Sequence, residues 1–188
     1  GENLLFASRR EMGQQRAQHL FMVSKEGGFP ERLPIPYGEL ASFSPDGKHL
    51  AYITKITESY PFKRYKGGLS SDIILFDLAE NQAEKVTDHP GNDGKPAWAG
   101  DKVYFLSDRG ENFRLNIWSY SHKTKETKQV TSFKDFDISY LSAGPSELIF
   151  EAGGTLYLMD LANEEYEQVE VHVVSDLSVE LPRSVNVS

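Results

Sequence analysis

Five histidines are the side chains in this sequence best suited to acid–base or metal chemistry, and their spacing argues against both. They lie far apart along the chain, at His19, His49, His89, His122 and His172. A helical metal site places two histidines four residues apart, and a serine nucleophile often lies in a Gly-x-Ser-x-Gly elbow. The sequence contains neither pattern and has no cysteine. We therefore expect no catalytic residue, no metal site and no cofactor in this chain.

Four glycine-containing stretches resemble parts of calcium-binding or phosphate-binding loops. A calcium loop needs oxygen ligands at alternate positions, and neither Asp46-Gly47 nor Asp93-Gly94 lies in such a series. A phosphate-binding loop must precede a helix, and no helical pattern follows Gly27-Gly28 or Gly153-Gly154. All four are predicted to be turns.

A long segment, 56–71, is the most promising place for binding. It combines tyrosine and phenylalanine with lysine and arginine, although the formal net charge of the protein is −8. Long loops on a rigid scaffold often carry binding residues, and exposed cations suit the C-terminal carboxylate of a peptide. The candidates for peptide or partner binding are Arg64, Tyr65, Lys66, Arg109 and Arg114. In the competing interpretation the aromatic residues only order the loop, and the arginines form solvated ion pairs with Asp108 and Glu111.

The elements that would position these residues come from a repeat. Four short β-rich runs begin at Leu20, Ile73, Ile117 and Leu156, and each is followed thirteen residues after its first member by one apolar residue, namely Leu33, Val86, Val130 and Val169. Another apolar run precedes each of the four. Short strands that recur every 40–50 residues or so are typical of β-propeller blades.

An aromatic position before a turn also recurs, at Phe43, Trp98 and Tyr140. We expect these three side chains to be buried at equivalent sites on the inner strands of successive blades. The first turn, Ser44-Pro45-Asp46-Gly47, has proline preset for the bend and glycine free to adopt positive φ. An irregular β-sandwich is the alternative fold, but it does not require a recurring aromatic site.

The predicted fold class is therefore all-β, with propeller blades of four antiparallel strands. About four repeats are expected within residues 1–176, over 3–38, 39–90, 91–135 and 136–176, followed by a linker over 177–188. The first repeat lacks an inner strand, and closure usually takes four to eight blades. We interpret the chain as part of a larger propeller.

Blade topology divides the loops between two faces. The turns joining strands one to two and three to four share one face, and the other connections share the opposite face. The second set is longer and carries the basic and aromatic candidates, so we expect peptide or partner contacts there. The acidic charge balance disfavours nucleic acid, and no apolar run approaches the roughly 20 residues of a membrane span. The cellular compartment stays open.

Several motifs resemble known families. The stretch 43–52, Phe-Ser-Pro-Asp-Gly-Lys-His-Leu-Ala-Tyr, is similar to the blade signature of TolB-type propellers. The stretch 62–68, Phe-Lys-Arg-Tyr-Lys-Gly-Gly, resembles the first propeller of the tricorn protease family, and the similarity continues through 102–108, 130–133 and 153–157. In that family a six-bladed and a seven-bladed propeller precede a PDZ-like domain and a serine-protease core that degrades short peptides.

The resemblance implies that the chain covers part of a six-bladed propeller. It also implies a non-catalytic propeller segment of a tricorn-like serine peptidase that gates or channels peptides and contacts the other domains of the protease. A homo-oligomeric full-length protein is compatible with it. The family's catalytic residues have no counterpart here, and its substrate-anchoring arginine pair does not align with Arg9-Arg10. A TolB-like protein-binding adaptor is the alternative function, and the propeller of a prolyl-oligopeptidase-like enzyme is a weaker third.

Overall fold

The computed structural model describes residues 2–11, 18–55 and 64–174, which form fifteen strands in four antiparallel sheets. We call the sheets blades 1 to 4. Blade 1 contains β1 (Asn3–Ser8), β2 (His19–Ser24) and β3 (Glu31–Arg32). Blade 2 contains β4 (Ala41–Phe43), β5 (His49–Tyr52), β6 (Ile74–Asp77) and β7 (Gln82–Lys85).

Blades 3 and 4 repeat the four-stranded pattern. Blade 3 contains β8 (Asp93–Ala99), β9 (Lys102–Ser107), β10 (Asn116–Ser121) and β11 (Thr127–Gln129). Blade 4 contains β12 (Ile138–Ala143), β13 (Glu147–Ala152), β14 (Thr155–Asp160) and β15 (Tyr166–Gln168). Within each blade the strands pair in sequence order, which is a propeller meander and confirms the predicted fold class. The predicted linker 177–188 lies outside the described residues.

The thirteen-residue spacing has a direct structural cause. The amide of each anchor donates a hydrogen bond to the carbonyl of the residue thirteen positions earlier, at 2.9 Å for Leu33 to Leu20 and for Val130 to Ile117. Val86 and Val169 make the same bond to Ile73 and Leu156, at 3.0 and 2.8 Å. The spacing is therefore the length of one hairpin that closes the outer edge of a blade.

Among the described residues the hydrophobic core consists of three layers, each between two successive blades. In β5, Leu50 and Tyr52 pack towards blade 1 whereas Ala51 packs towards blade 3. In β9, Phe105 packs towards blade 2 whereas Tyr104 packs towards blade 4. Side chains alternate between the faces of a strand, so a strand with apolar residues on both faces is buried on both sides.

The predicted aromatic position is only partly confirmed. Trp98 is buried and Phe43 is half-buried, and their strand partners are Val103 and Leu50. Tyr140 is 68% exposed, so its predicted burial is wrong. The reason is the strand register. Phe43 pairs with Leu50, and the residue of blade 4 that corresponds to Leu50 is Leu148. Leu148 pairs with Ala143, so Ala143 and not Tyr140 occupies the equivalent position.

Asp93-Gly94 is not a turn, which is a second correction. These two residues begin strand β8 and pair with Ser107 and Leu106 on β9, and the register shifts only between Gly94 and Ala97. The Asp93 carboxylate forms an ion pair with Arg109, which follows the neighbouring strand β9. The turns predicted at Asp46-Gly47, Gly27-Gly28 and Gly153-Gly154 are confirmed.

Candidate functional site

The strand order places two kinds of connection at opposite ends of the blades. We call one end the long-loop face; its described parts include residues 9–11, 64–73, 86–92, 108–115 and 130–137. We call the other the tight-turn face; it includes residues 25–30, 44–48, 78–81, 122–126 and 161–165. The long-loop face is not uniform, because the second and third strands of blade 4 are joined by the two-residue turn Gly153-Gly154. Residues 12–17 and 56–63, which belong to two of its predicted loops, lie outside the described residues.

Asn92 joins two parts of the long-loop face. Its side-chain amide donates to the Tyr65 carbonyl at 3.0 Å and to Asp108 Oδ2 at 3.3 Å. Its backbone amide donates to Asp108 Oδ1 at 2.8 Å. Gly91 permits this approach, because a Cβ at that position would collide with the Asp108 carboxylate. The segment 64–70 of blade 2 is thereby held against blade 3.

Lys66 makes a second connection between the same two blades. Its Nζ lies 4.9 Å from the centroid of the Phe113 ring, a cation–π contact. Phe113 is itself 47% exposed. Arg64 is exposed and adopts φ 57°, and among the described residues it makes no ion pair. This edge of the face therefore presents two neighbouring cations, Arg64 and Lys66, on an ordered segment.

Arg109 was expected to be exposed, but the structure places it in a largely buried position. Its side chain is 12% exposed, and its Nη2 lies 2.5 Å from Oδ2 of the fully buried Asp93. Nε donates to Ser107 Oγ at 2.9 Å, and the guanidinium stacks 5.4 and 5.2 Å from the ring centroids of Phe105 and Trp118. The acid that pairs with Arg109 is thus Asp93, not Asp108 or Glu111, and the pair is buried, not solvated.

Arg114 lies on the side of the blade 3 loop that faces blade 4. Its Nε donates to the Lys134 carbonyl at 3.2 Å, and its Nη1 lies 3.9 Å from Asp137 Oδ2. The side chain is 32% exposed, so part of the guanidinium can still meet a ligand. Tyr65, through Asn92, and Lys66 therefore contact the loop that follows β9. Arg109 packs against the layer between blades 2 and 3, whereas Arg114 contacts the segment that leads into blade 4.

Two residues that organise this face, Asn92 and Asp93, were not among the sequence candidates. Both precede or begin β8, and their partners lie 16 residues away at Asp108 and Arg109. The sequence did contain a signal, because Asn92-Asp93 lies at the start of β8 and Asp108-Arg109 directly follows the end of β9. The pattern becomes informative only when the hairpin register is known.

A concave site lies on the tight-turn face between blades 2 and 3. It is a cavity of about 230 Å³ lined in part by His49, Asp77, Glu84 and His122. The two imidazole rings are 5.0 Å apart, and His49 Nε2 lies 3.4 Å from Asp77 Oδ2. Backbone hydrogen bonds, first from Glu80, hold the pKa of Asp77 below its ordinary value.

The pKa of His122 is also lowered. Burial is the largest cause, followed by the positive charge of Lys125 and by His49. Within the part of the chain that the structure describes, no three His, Cys, Asp or Glu side chains are arranged to hold a metal ion. That part also contains no helix long and apolar enough to cross a membrane.

Four successive antiparallel sheets with apolar layers between them define the class of this molecule, which is a β-propeller segment. A sequence model of the tricorn protease N-terminal beta propeller domain matches residues 1–165. Since that is most of the chain, the protein belongs to this family.

Relatives and solved structures agree with the assignment. The tricorn protease homolog of Saccharolobus solfataricus is 25% identical over 167 residues, which is 89% of this chain and 15% of that protein. Among solved structures, a putative TolB from Agrobacterium tumefaciens superposes with a TM-score of 0.70 at 18% identity, over 89% of this chain and 61% of that one. The crystal structure of the tricorn protease gives a TM-score of 0.56 at 17% identity, over 93% and 22%. At these identities the structural likeness shows the fold alone.

Proposed function

We propose that this chain is a non-catalytic propeller segment of a tricorn-like serine peptidase that gates or channels short peptides and contacts the other domains of the protease. The family assignment supports the class of the parent protein. The chain spans about 15% of the length of the Saccharolobus solfataricus relative, so peptide cleavage is assigned to other parts of the protein.

One observation carries the proposal for the long-loop face. The hydrogen bonds of Asn92 to Tyr65 and Asp108 fix the segment that carries Arg64 and Lys66. A cation on an ordered segment loses less side-chain freedom when it binds than a cation on a loose one, so more of the interaction energy appears as affinity. Two neighbouring cations on an acidic protein would favour the C-terminal carboxylate of a peptide.

The five candidates then have different roles. Arg64, Lys66 and Arg114 would contact the peptide directly, and the carbonyl of Tyr65 would hold the segment in place. Arg109 would act indirectly, because its guanidinium already binds Asp93 and stacks on two aromatic rings. Breaking a buried ion pair to bind a ligand would leave a buried carboxylate uncompensated, which is strongly unfavourable.

Kinetics on the full-length protein test this proposal. We would compare wild type with R64A, K66A and R114A, using one short fluorogenic peptide with a free C-terminal carboxylate and its amidated form. The matched control is K123A, which removes a cation with a 76% exposed side chain from the tight-turn face. Each long-loop variant should lower kcat/KM for the free peptide about 3- to 10-fold, the range of an exposed charge-assisted hydrogen bond, with little effect on the amidated peptide.

Two outcomes would overturn the assignment. In one, all three variants match wild type whereas K123A impairs cleavage, which would place the contacts on the tight-turn face. In the other, the variants leave cleavage unchanged and weaken capture of a partner protein, which would favour the TolB-like adaptor function.

A further inference from the structure

Phe113 has an unusual conformation in the loop that follows β9. Its side chain is 47% exposed, and its backbone adopts φ 53°, in the left-handed region that a bulky residue rarely enters. This conformation is unfavourable for a phenylalanine, so the surrounding loop must hold it. Non-glycine residues held in such conformations are concentrated at ligand-binding and active sites. Phe113 is therefore a candidate for ligand contact, although the sequence did not nominate it.

Hydrogen bonds on both sides hold Phe113 in this conformation. The Phe113 amide donates to the Gly110 carbonyl at 3.0 Å. The Asn112 side chain donates to the Phe133 carbonyl at 2.9 Å and accepts a bond from the Arg114 amide at 3.3 Å. The exposed ring thus lies on an ordered loop, which has little conformational freedom left to lose when a ligand binds.

Tyr65, the aromatic candidate of the sequence, is placed differently. Its side chain lies over Gly67, since a Cβ added to that glycine would be 2.7 Å from the Tyr65 hydroxyl oxygen. Tyr65 is half-buried, whereas almost half of the Phe113 surface is exposed. Of these two rings, Phe113 is therefore the one that is better placed to pack against a ligand.

The distance between Lys66 and Phe113 determines which part of a ligand would meet the ring. Lys66 Nζ lies 4.9 Å from the centroid of the Phe113 ring. In a charge-assisted hydrogen bond the carboxylate oxygen lies about 2.8 Å from the ammonium nitrogen, so the Cα that bears this carboxylate lies roughly 4–5 Å from the same nitrogen. The side chain on that Cα can therefore reach the exposed surface of Phe113.

We propose that Phe113 forms a subsite for the side chain of a peptide's C-terminal residue and that this subsite selects apolar side chains. The subsite rests on the proposed function, in which Arg64 and Lys66 bind the C-terminal carboxylate. An apolar side chain would remove part of the Phe113 ring from water, whereas a polar side chain of the same size would lose hydrogen bonds to water there. A lysine or arginine at the C-terminus would also be repelled by the two cations.

Two nearly isosteric side chains, leucine and asparagine, test the selectivity in the full-length protein. Two short fluorogenic peptides would differ only in this C-terminal residue, and each would be made with a free carboxylate and in amidated form. The quantity measured is the ratio of kcat/KM for the leucine peptide to kcat/KM for the asparagine peptide. A change of this ratio in a variant reports the propeller, because any preference of the catalytic domain is the same in all variants.

The main variant is Phe113→Asn, because asparagine removes the apolar ring and tolerates positive φ. We expect it to lower the leucine-to-asparagine ratio of the free peptides about 3- to 10-fold. Phe113→Leu keeps an apolar side chain and should change the ratio by less than about twofold. The matched control is Phe29→Ala, which removes a 99% exposed phenylalanine from the tight-turn face and should leave the ratio unchanged. Thermal unfolding would verify that the variants fold as wild type does.

The amidated peptides separate failure of the subsite from failure of the proposed function. For the asparagine peptide the free-to-amidated ratio of kcat/KM reports the carboxylate contact alone, and it should stay within about twofold of wild type in Phe113→Asn. If wild type prefers the free carboxylate but Phe113→Asn leaves the leucine-to-asparagine ratio unchanged, or Phe29→Ala lowers it equally, the subsite is overturned and the proposed function stands. If wild type cleaves free and amidated peptides equally well, the carboxylate contact is overturned, and the subsite with it.

Discussion

Asp93 Oδ2 and Arg109 Nη2 lie 2.5 Å apart in a buried ion pair that connects the first residue of β8 to the loop after β9. The guanidinium is stacked on Phe105 and Trp118, so the pair lies against the apolar layer between blades 2 and 3. Arg109 is therefore a residue that holds the long-loop face together.

The first prediction follows from this burial. Arg109→Ala should lower the free energy of unfolding by about 3–5 kcal/mol, because it leaves the Asp93 carboxylate buried without a partner. Urea denaturation of the chain measures the change. Lys123→Ala, which removes an exposed cation, should change it by less than about 0.5 kcal/mol. A loss for Arg109→Ala as small as that of the control would contradict the structural role.

The second prediction concerns the aromatic position between blades. Trp98→Ala should cost about 3–5 kcal/mol, because Trp98 is 6% exposed and packs in the layer between blades 2 and 3. Tyr140→Ala should cost only about 0.5–1 kcal/mol, because Tyr140 is exposed and its described ring contact is Lys95. Thermal or urea unfolding of the two variants compares them. Equal losses would mean that the blade 4 register is wrong.

Trp98 and Tyr140 illustrate which features of the fold the sequence could predict and which it could not. The strands and the thirteen-residue hairpin closure are local features, set by apolar alternation and by turn residues, and they appear in the structure as predicted. Tyr140 was misplaced because an aromatic residue suits either face of a strand, and only the pairing of Ala143 with Leu148 identifies the equivalent position.

The candidate site was less predictable for a related reason. Basic and aromatic residues in a long loop were the sequence signal for the candidate site, but charge alone did not distinguish the exposed Arg64 from the nearly buried Arg109. That distinction depends on Asp93, 16 residues earlier, which becomes a neighbour only when β8 and β9 pair.

The third prediction concerns pH. Burial, Lys125 and His49 lower the pKa of His122 below its ordinary value of 6.5, so the native state binds this proton less readily than the unfolded chain. As the pH falls through 6.5 the unfolded chain takes up the proton first, and stability decreases. Above that range the stability contributed by neutral His122 is fully present. The decrease should therefore begin well above the titration range of the carboxylates.

Urea midpoints at several pH values between 8 and 5 measure this effect. His122→Gln should remove part of the decrease between about pH 7 and the lowered pKa of His122. His172→Gln is the matched control, because the His172 side chain is 84% exposed. Identical pH profiles for wild type and His122→Gln would contradict the role of the half-buried His122 imidazole.

The fourth prediction concerns catalysis. The purified 188-residue chain should hydrolyse no fluorogenic di- to tetrapeptide, because the sequence nominates no nucleophile with an adjacent base. Activity that survives repurification and disappears when one serine of this chain is substituted would show that the prediction is wrong.

The most direct test of the central claim is a map of where a peptide contacts the propeller. We would titrate the isotope-labelled chain with a tetrapeptide that has a free C-terminal carboxylate and follow the backbone amide resonances by NMR. The account predicts the largest shifts in residues 64–70, 91–92 and 108–115, and smaller shifts with the amidated peptide. The largest shifts at the tight turns 44–48, 78–81 and 122–126, or equal shifts with both peptides, would contradict it.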